Sequence, residues 1–455
     1  MVRLSRRFSE VESRSSQMVN VSANNFCSAN ADLPIENGLT PKDSSWPDLQ
    51  HVTCDALVLN ARARQSLMAV RSLGKHGLRM AALETPDCPF IPTFSSRWCH
   101  HKIICPAYKE TKEHLSYLDQ LFNSSSARVV IPTADSDVAL LRQYRNQMGP
   151  RTGLAIAKEP ALSIAVSKEQ TLDIARQLGL RIPRGVTLGG VSEVDVALRE
   201  IGLPAVVKPE ESWLEDGQQG VRVACQLVTT PDEARRAVEE LTCLGGKVLF
   251  QQFLTGRRDA MSFLYANGQM HARFAQWARR TNPPMGGVSV LRQSMTIPID
   301  IGEQAERLVR EIELEGYSEV EFRRDSAGYP YLMEINPRLS ASVEIAVRSG
   351  VDFPYLLYQW ASGERVDVVE GYRTGLWMRY LGGDIDTTIA SLLQRGRPGV
   401  SSPARAILDF CASFFVPMRY DYLDWKDPLP AWRATIGFPR DLWQQAQKYF
   451  ARNHH

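Results

Sequence analysis

Hydrophobic and polar positions change their period several times along this chain, and each change marks an element. DALVLN, from Asp55, is an unbroken apolar run of the kind that forms a buried strand. ARARQSLMAVRSLGKHG then sets Leu67, Val70 and Leu73 on one helical face and stops at Gly77. LRMAALE is a second buried strand, so the segment predicts a β-α-β unit and a parallel sheet. Farther on, RVVIPTADSDVALL reads as strand, loop and helix. Its polar loop, Thr133 to Asp137, falls at a strand's carboxyl end, where open α/β sheets tend to bind ligands. Helix capping by Asp135 or Ser136 is the alternative use of the same residues.

From Ser167 the pattern becomes mixed. SKEQTLDIARQLGL predicts a helix with Ser167 as N-cap and Gln170 at the third helical position. Lys168 opens that helix, where a cation opposes the helix dipole unless an anion lies nearby. LPAVVKPEES is a short apolar strand carrying Lys208, and a lysine on a buried strand needs a partner. EDGQQGVRVA brackets polar residues between Gly217 and Gly220, a loop able to present backbone N–H groups to a phosphate and to close as a lid. Two strands around a turn follow in KVLFQQFLTGRRDAMSFLYANGQM. ARFAQWARRTNPPMGGVSVLRQS is the least regular stretch, and its Pro-Pro and Gly-Gly pairs predict a mobile loop. Arg279, Arg280 and Arg292 flank that loop, where they could hold a carboxylate or developing phosphoryl charge. A helix is expected over Glu303 to Glu315.

The chemically most specific stretch is YSEVEFRRDSAGYPYLMEINPRLSAS, from Tyr317 to Ser342. EVEF alternates, DSAG is a turn, and YPYLMEI is a second β-rich run. A hairpin of this length brings Glu321 near Glu334, and alternation sends Glu334 and Asn336 to one face. Two carboxylates and an amide oxygen suit magnesium, which commonly takes one or two carboxylates plus nucleotide phosphates. Acids inside apolar strands are costly without a cation. Arg338 lies just beyond. The chain continues as helix, glycine stop and helix to about residue 365, then as a strand and helix in WMRYLGGDIDTTIASLL.

Composition narrows the class. The chain has 455 residues, 44% hydrophobic and 23% charged, as expected of a globular protein of two or three domains. A net charge of +2 gives no electrostatic case for a nucleic-acid partner. The eight cysteines show no C-x-x-C and no zinc spacing, which favours a reducing cytoplasm. No apolar run approaches the length of a membrane span. Residues 1–50 are rich in Ser, Asn, Arg and Glu without period and read as a disordered tail. Glu10 and Glu12 disfavour an organelle transit peptide. No G-x-G-x-x-G follows the first strand, which disfavours a dinucleotide site, and no G-x-S-x-G is present.

EVEF…LMEINPRLSAS resembles the metal-binding hairpin of the ATP-grasp superfamily, which includes biotin carboxylase, carbamoyl phosphate synthetase and D-alanine–D-alanine ligase. The resemblance spans about residues 54–365. It implies an α/β protein with a parallel-sheet domain over 51–160, a two-lobed ATP-grasp domain with antiparallel sheets over 161–365, and an extension over 366–455 that caps the site or makes an oligomer contact. The implied cofactors are ATP and Mg²⁺, with Mn²⁺ able to replace it. The implied metal ligands are Glu321, Glu334 and Asn336. Lys168 and Lys208 would meet the phosphates, and Gly217 and Gly220 would cover them. Gln251, Gln252, Phe253 and Leu254 resemble the adenine-holding linker, and Asp259 follows where relatives often carry an acid. Arg338 and Arg292 would be the catalytic arginines. The activity so implied is ATP-dependent activation of a carboxylate as an acyl phosphate and its transfer to an amine. Carboxylation and a nucleotide-binding module without catalysis are the alternatives. A small-molecule carboxylate and amine are the expected partners, with a homodimer as the default assembly.

Overall fold

The computed structural model describes residues 52–437, apart from 87, 89, 108–110, 147–151, 212, 217–218, 223, 244–245 and 285. The expected disordered tail, residues 1–50, therefore lies outside the described residues. The first sheet is parallel throughout. It contains β1 (Ala56–Val58), β2 (Met80–Glu84), β3 (Cys99–Ile104), β4 (Val129–Ile131) and β5 (Gly153–Leu154), in the order β3-β2-β1-β4-β5. The amphipathic helix forms over Arg64–Lys75 and buries Leu67, Val70 and Leu73, as its period requires.

The second sheet takes β6 (Gly185–Leu188), β7 (Ala205–Pro209), β10 (Gln226–Val228) and β11 (Val248–Gln252), in the order β10-β7-β11-β6. A separate two-stranded ribbon pairs β8 (Trp213–Asp216) with β9 (Gln219–Arg222). Val207, Phe250 and Val238 belong to a core of this lobe's own. Gly220 lies in β9, not in a loop, and Gly217 falls outside the described residues.

The third sheet carries the rest: β12 (Arg258–Ala266), β13 (Gln269–Asn282), β14 (Val288–Met295), β15 (Gly316–Arg324), β16 (Pro330–Asn336), β17 (Trp377–Arg379) and β18 (Arg419–Tyr420), in the order β16-β15-β12-β13-β14-β17-β18. β11 and β12, the two strands read around one turn, join different sheets. The hairpin turn is instead Asn267-Gly268, between β12 and β13, where both residues take positive φ (50° and 75°). The stretch expected to be least regular is mostly strand. β13 runs unbroken to Asn282, with bulges around Arg280 that absorb the mismatch with β14. Two further cores each combine residues of the first and third sheets, among them Leu57 with Phe263 and Val320, and Val58 with Phe274 and Tyr317.

The extension after residue 366 adds β17 and β18 to the third sheet and is fastened by buried carboxylates. Asp384 accepts from Arg280 (2.5 and 2.6 Å) and from Arg379 (2.6 Å). Asp421 accepts from both Nη atoms of Arg292 (3.2 and 2.6 Å) and from Arg64. Asp427 accepts from Arg71 (2.9 Å), Ser96 (2.7 Å) and the Arg97 amide (2.9 Å). Arg280 and Arg292, expected to be available to a substrate carboxylate, are thus already matched by acids of the extension. Burial alone would raise the Asp421 carboxyl; Arg292 and Arg64 hold it below its ordinary value instead.

Two predictions follow from buried charge. Asp384→Ala leaves Arg280 and Arg379 without their carboxylate and is expected to cost about 3–5 kcal/mol in urea unfolding. Asp137 is different: its Oδ2 accepts from the Thr133 and Ala134 amides (2.9 Å each), yet burial pushes its carboxyl up to about 6. The folded chain therefore holds this proton more tightly than the unfolded one. Its contribution is fully present below about pH 4 and is lost as pH rises through about 6, on the order of 3 kcal/mol. Asp137→Asn keeps an acceptor for both amides, and unfolding measured from pH 4 to 7 is expected to lose this component of the pH dependence.

Candidate functional site

β15 and β16 form the expected hairpin, and Asp325 closes its turn by accepting from the Ala327 and Tyr329 amides (2.9 Å each). Glu321 stands directly opposite Glu334, and Glu319 opposite Asn336. A bulge lies next to this pair, between Glu321 and Phe322. Glu321 is buried and accepts from Arg258 and from Asn336 Nδ2 (3.2 Å). Burial drives its carboxyl up; Arg258 opposes this, and Glu334 and Glu319 add to it, leaving it at about 7. Glu319 is also buried, but Gln276 (3.0 Å), Ser262 (3.3 Å) and Ser342 (3.3 Å) all donate to its Oε2.

Other elements bring cations to these acids. Lys168 opens the helix Lys168–Gln177, whose N-cap Ser167 accepts from the Gln170 amide (3.3 Å). Its ammonium donates to the Glu210 carbonyl (3.4 Å). Lys208, on β7, is 7% exposed and has no hydrogen-bond partner for its ammonium among the described residues. Burial lowers its pKa, and the charges felt at that ammonium include Glu334, Lys168 and Glu321. Arg338 donates to Asp135 (2.5 Å) and to Asn336 Oδ1 (3.4 Å). Burial opposes the Arg338 charge, and Asp135 more than offsets it, so its pKa is raised. Asp135 therefore binds the hairpin's arginine, while Asp137 takes the capping role expected of Asp135 or Ser136. A cleft lined by Asp135, Lys168, Glu211, Glu334 and Asn336 joins these groups.

The remaining candidates lie in three different settings. Gln251, on β11, is 1% exposed, and neither side-chain amide atom has a hydrogen-bond partner. Such an orphan is expensive unless a ligand completes it. Gln252 is half-buried and donates its amide N–H to the Arg184 carbonyl (2.8 Å); Phe253 and Leu254 follow it out of the strand. Asp259 pairs across the sheet with Phe322, so it faces away from Glu321, and its carboxylate is held by Arg257 (2.6 Å) and Arg324 (2.7 Å). Arg292 is fully buried against Asp421. Both assignments, Asp259 to a nucleotide and Arg292 to the reaction, fall on side chains that already make buried ion pairs.

Arg258, Glu319 and Asp135 were absent from the sequence-derived set. Arg258 sits one residue before Asp259, and only the β12–β15 register, with Ala260 opposite Glu321, puts it on the acidic face. Among the described residues there is no group of three or more His, Cys, Asp or Glu placed to hold a metal. Two facing carboxylates and an amide do fit a cation completed by ligand oxygens, as magnesium at phosphates usually is.

The family described as "ATP-grasp in the biosynthetic pathway with Ter operon" matches residues 263–382, which cover β13 to β17 and the whole acidic hairpin. Residues 263–382 thus form an ATP-grasp segment. It is 26% identical over 247 residues to the carbamoyl phosphate synthase large chain of Methanoculleus marisnigri, covering 50% of this chain but 22% of that one. It is 26% identical over 242 residues to the D-alanine–D-alanine ligase of Paracidovorax citrulli, covering 49% of this chain and 69% of the ligase. Its fold is similar to that of N5-carboxyaminoimidazole synthetase from Staphylococcus aureus, solved with ADP. The TM-score is 0.55 at 15% identity, over 80% of this chain and 97% of that one. The chain thus spans about a fifth of the length of the carbamoyl phosphate synthase chains it matches.

Lys208 is the costly residue, a buried cation without a hydrogen-bond acceptor among the described residues. Lys208→Met, which keeps the length and removes the charge, is expected to raise the stability of the ligand-free protein by about 1–2 kcal/mol in urea unfolding. An unchanged or lower midpoint would mean that Glu334 and Glu321 already compensate the ammonium.

Proposed function

We propose that this ATP-grasp protein is an ATP-dependent ligase. It activates a small-molecule carboxylate as an acyl phosphate and transfers the acyl group to an amine, releasing ADP and phosphate. The observation that carries the reading is that Glu321 faces Glu334 across the hairpin while Lys168 lines the same cleft as Glu334 and Asn336. Such a site is matched to a polyphosphate and its cation.

Glu321, Glu334 and Asn336 would hold magnesium, which when bound neutralises phosphate charge. Lys168 and Lys208 would meet non-bridging phosphate oxygens. Gln251, with both amide atoms unused, would read the edge of the base, beside backbone groups near Phe253 and Leu254. Arg338 is oriented by Asp135 and would stabilise negative charge on the transferred group. Asp135 opens the helix Asp135–Tyr144 that follows β4, so the segment of the first sheet would help to build the site. The segment 51–160 would act with the ATP-grasp segment 161–365, and 366–455 would brace both. Seven described cysteines are all free, which fits a reducing cytoplasm. No described helix is long and apolar enough to cross a membrane.

The test is ADP release in the presence of ATP and Mg²⁺ across pooled carboxylates and amines. Release is expected to need both pools and to fall by about 100-fold or more in Glu334→Ala. Lys208→Met is expected to weaken ATP binding about 10- to 100-fold, the loss of a charge-assisted contact. ADP release that needs bicarbonate and no amine would establish carboxylation instead. Binding of ATP with no turnover from any pool would favour a nucleotide-binding module.

A further inference from the structure

A second cavity, of about 340 Å³, lies elsewhere in the chain and shares no lining residue with the cleft at Glu334. Five cations meet there: Arg71 and Lys75 from the helix Arg64–Lys75, Arg348 from the helix Glu344–Ser349, Arg373 from the segment before β17, and Arg419 from β18. Three of them have a carboxylate of their own. Arg71 is paired with Asp427 (2.9 Å), Lys75 with Asp424 (2.8 Å) and Arg348 with Glu344 (2.7 Å). The other two do not. Arg373 donates only to the Arg348 backbone carbonyl (2.6 Å), and Arg419 has no ion pair among the described residues. Both are exposed. Arg71, 1% exposed, also keeps one guanidinium nitrogen, Nη1, without a hydrogen-bond partner.

The cavity therefore carries two positive charges in excess, both on guanidinium groups. Solvated arginines on a convex surface would need no partner. Inside a concavity whose other cations are already paired, the fields of Arg373 and Arg419 add to each other, and the low-dielectric walls focus them. Guanidinium forks match carboxylate and phosphate oxygens two at a time. The volume suits a small metabolite, not a macromolecule. We propose that this cavity binds a small molecule carrying at least two negative charges on carboxylate or phosphate groups. The ligand ties β18 and the segment before β17 to the helix Glu344–Ser349. That helix follows directly on the loop of Arg338, Ser340 and Ser342, so the site adjoins the hairpin's outgoing strand without contributing to the cleft.

The test uses the full chain without nucleotide or metal, so that it stands or falls apart from the ligase reading. Citrate and inorganic phosphate are titrated in turn by calorimetry at low salt, which separates a carboxylate ligand from a phosphate one. Saturable binding of at least one is expected. It should weaken about tenfold or more in Arg373→Ala/Arg419→Ala and persist in Lys208→Met, the loss of each exposed charge-assisted contact being worth about a factor of several. If the double variant does not fold by circular dichroism, Arg419→Ala alone is expected to weaken binding by about threefold or more. No saturable binding of either anion to the wild type overturns the proposal. So does equal affinity in the arginine variants, or loss of binding in Lys208→Met alone, which assigns the anion to the cleft at Glu334.

Discussion

Two carboxylates facing each other across a hairpin repel, and the rest of this structure is arranged around that pair. The opposite face of the same hairpin explains why Glu321 and Glu334 stay together. Val320, Phe322, Leu332 and Ile335 are all buried there. A slip of one residue would turn those four into the acidic face and bury the acids in their place, so the apolar side pins the register. The repulsion is only partly relieved within the sheet. Arg258 and the Asn336 amide reach Glu321, and still its carboxyl sits near 7. Residual negative charge of that kind is what a bound cation is positioned to neutralise.

The matching positive charge comes from other parts of the fold. Lys208 stands on the second sheet, which has its own apolar core, and Lys168 opens a helix that runs past the outer strand β16. Arg338 leaves the hairpin and is caught by Asp135 of the helix Asp135–Tyr144. The charged groups around the hairpin therefore come from the second and third sheets and from two helices. Because opposite charges lie on separate elements, the ligand-free protein leaves the buried Lys208 ammonium without a hydrogen-bond acceptor among the described residues. Unsatisfied charge at a site is a stability cost that a polyphosphate and its cation would reverse.

The extension works by the opposite principle. Its acids Asp384, Asp421 and Asp427 are paired with Arg280, Arg292 and Arg71 from earlier in the chain, in pairs that are almost wholly buried. Buried ion pairs add little net stability compared with an apolar core, but breaking one is severe, so they specify where the extension sits. Arg280 and Arg292 lose their freedom in this way. An arginine beside a Pro-Pro-Gly-Gly stretch reads as a ligand-holding residue until its acidic partner, about 100 residues later in the chain, is known to lie against it.

Local pattern alone determined the hairpin, its turn, the pairing of Glu321 with Glu334, the capped helix at Ser167 and the first β-α-β unit. Each depends on a period of two or of 3.6 and on residues a few positions apart, so the information is contained within the segment. Tertiary structure decided the rest. β11 and β12 look like one strand pair in sequence yet enter different sheets. Asp259 and Arg258 are neighbours in the chain, and the sheet turns one toward Arg324 and the other toward Glu321. Which arginines are free and which are matched depends on carboxylates far away in sequence, since charge acts through space and not along the chain.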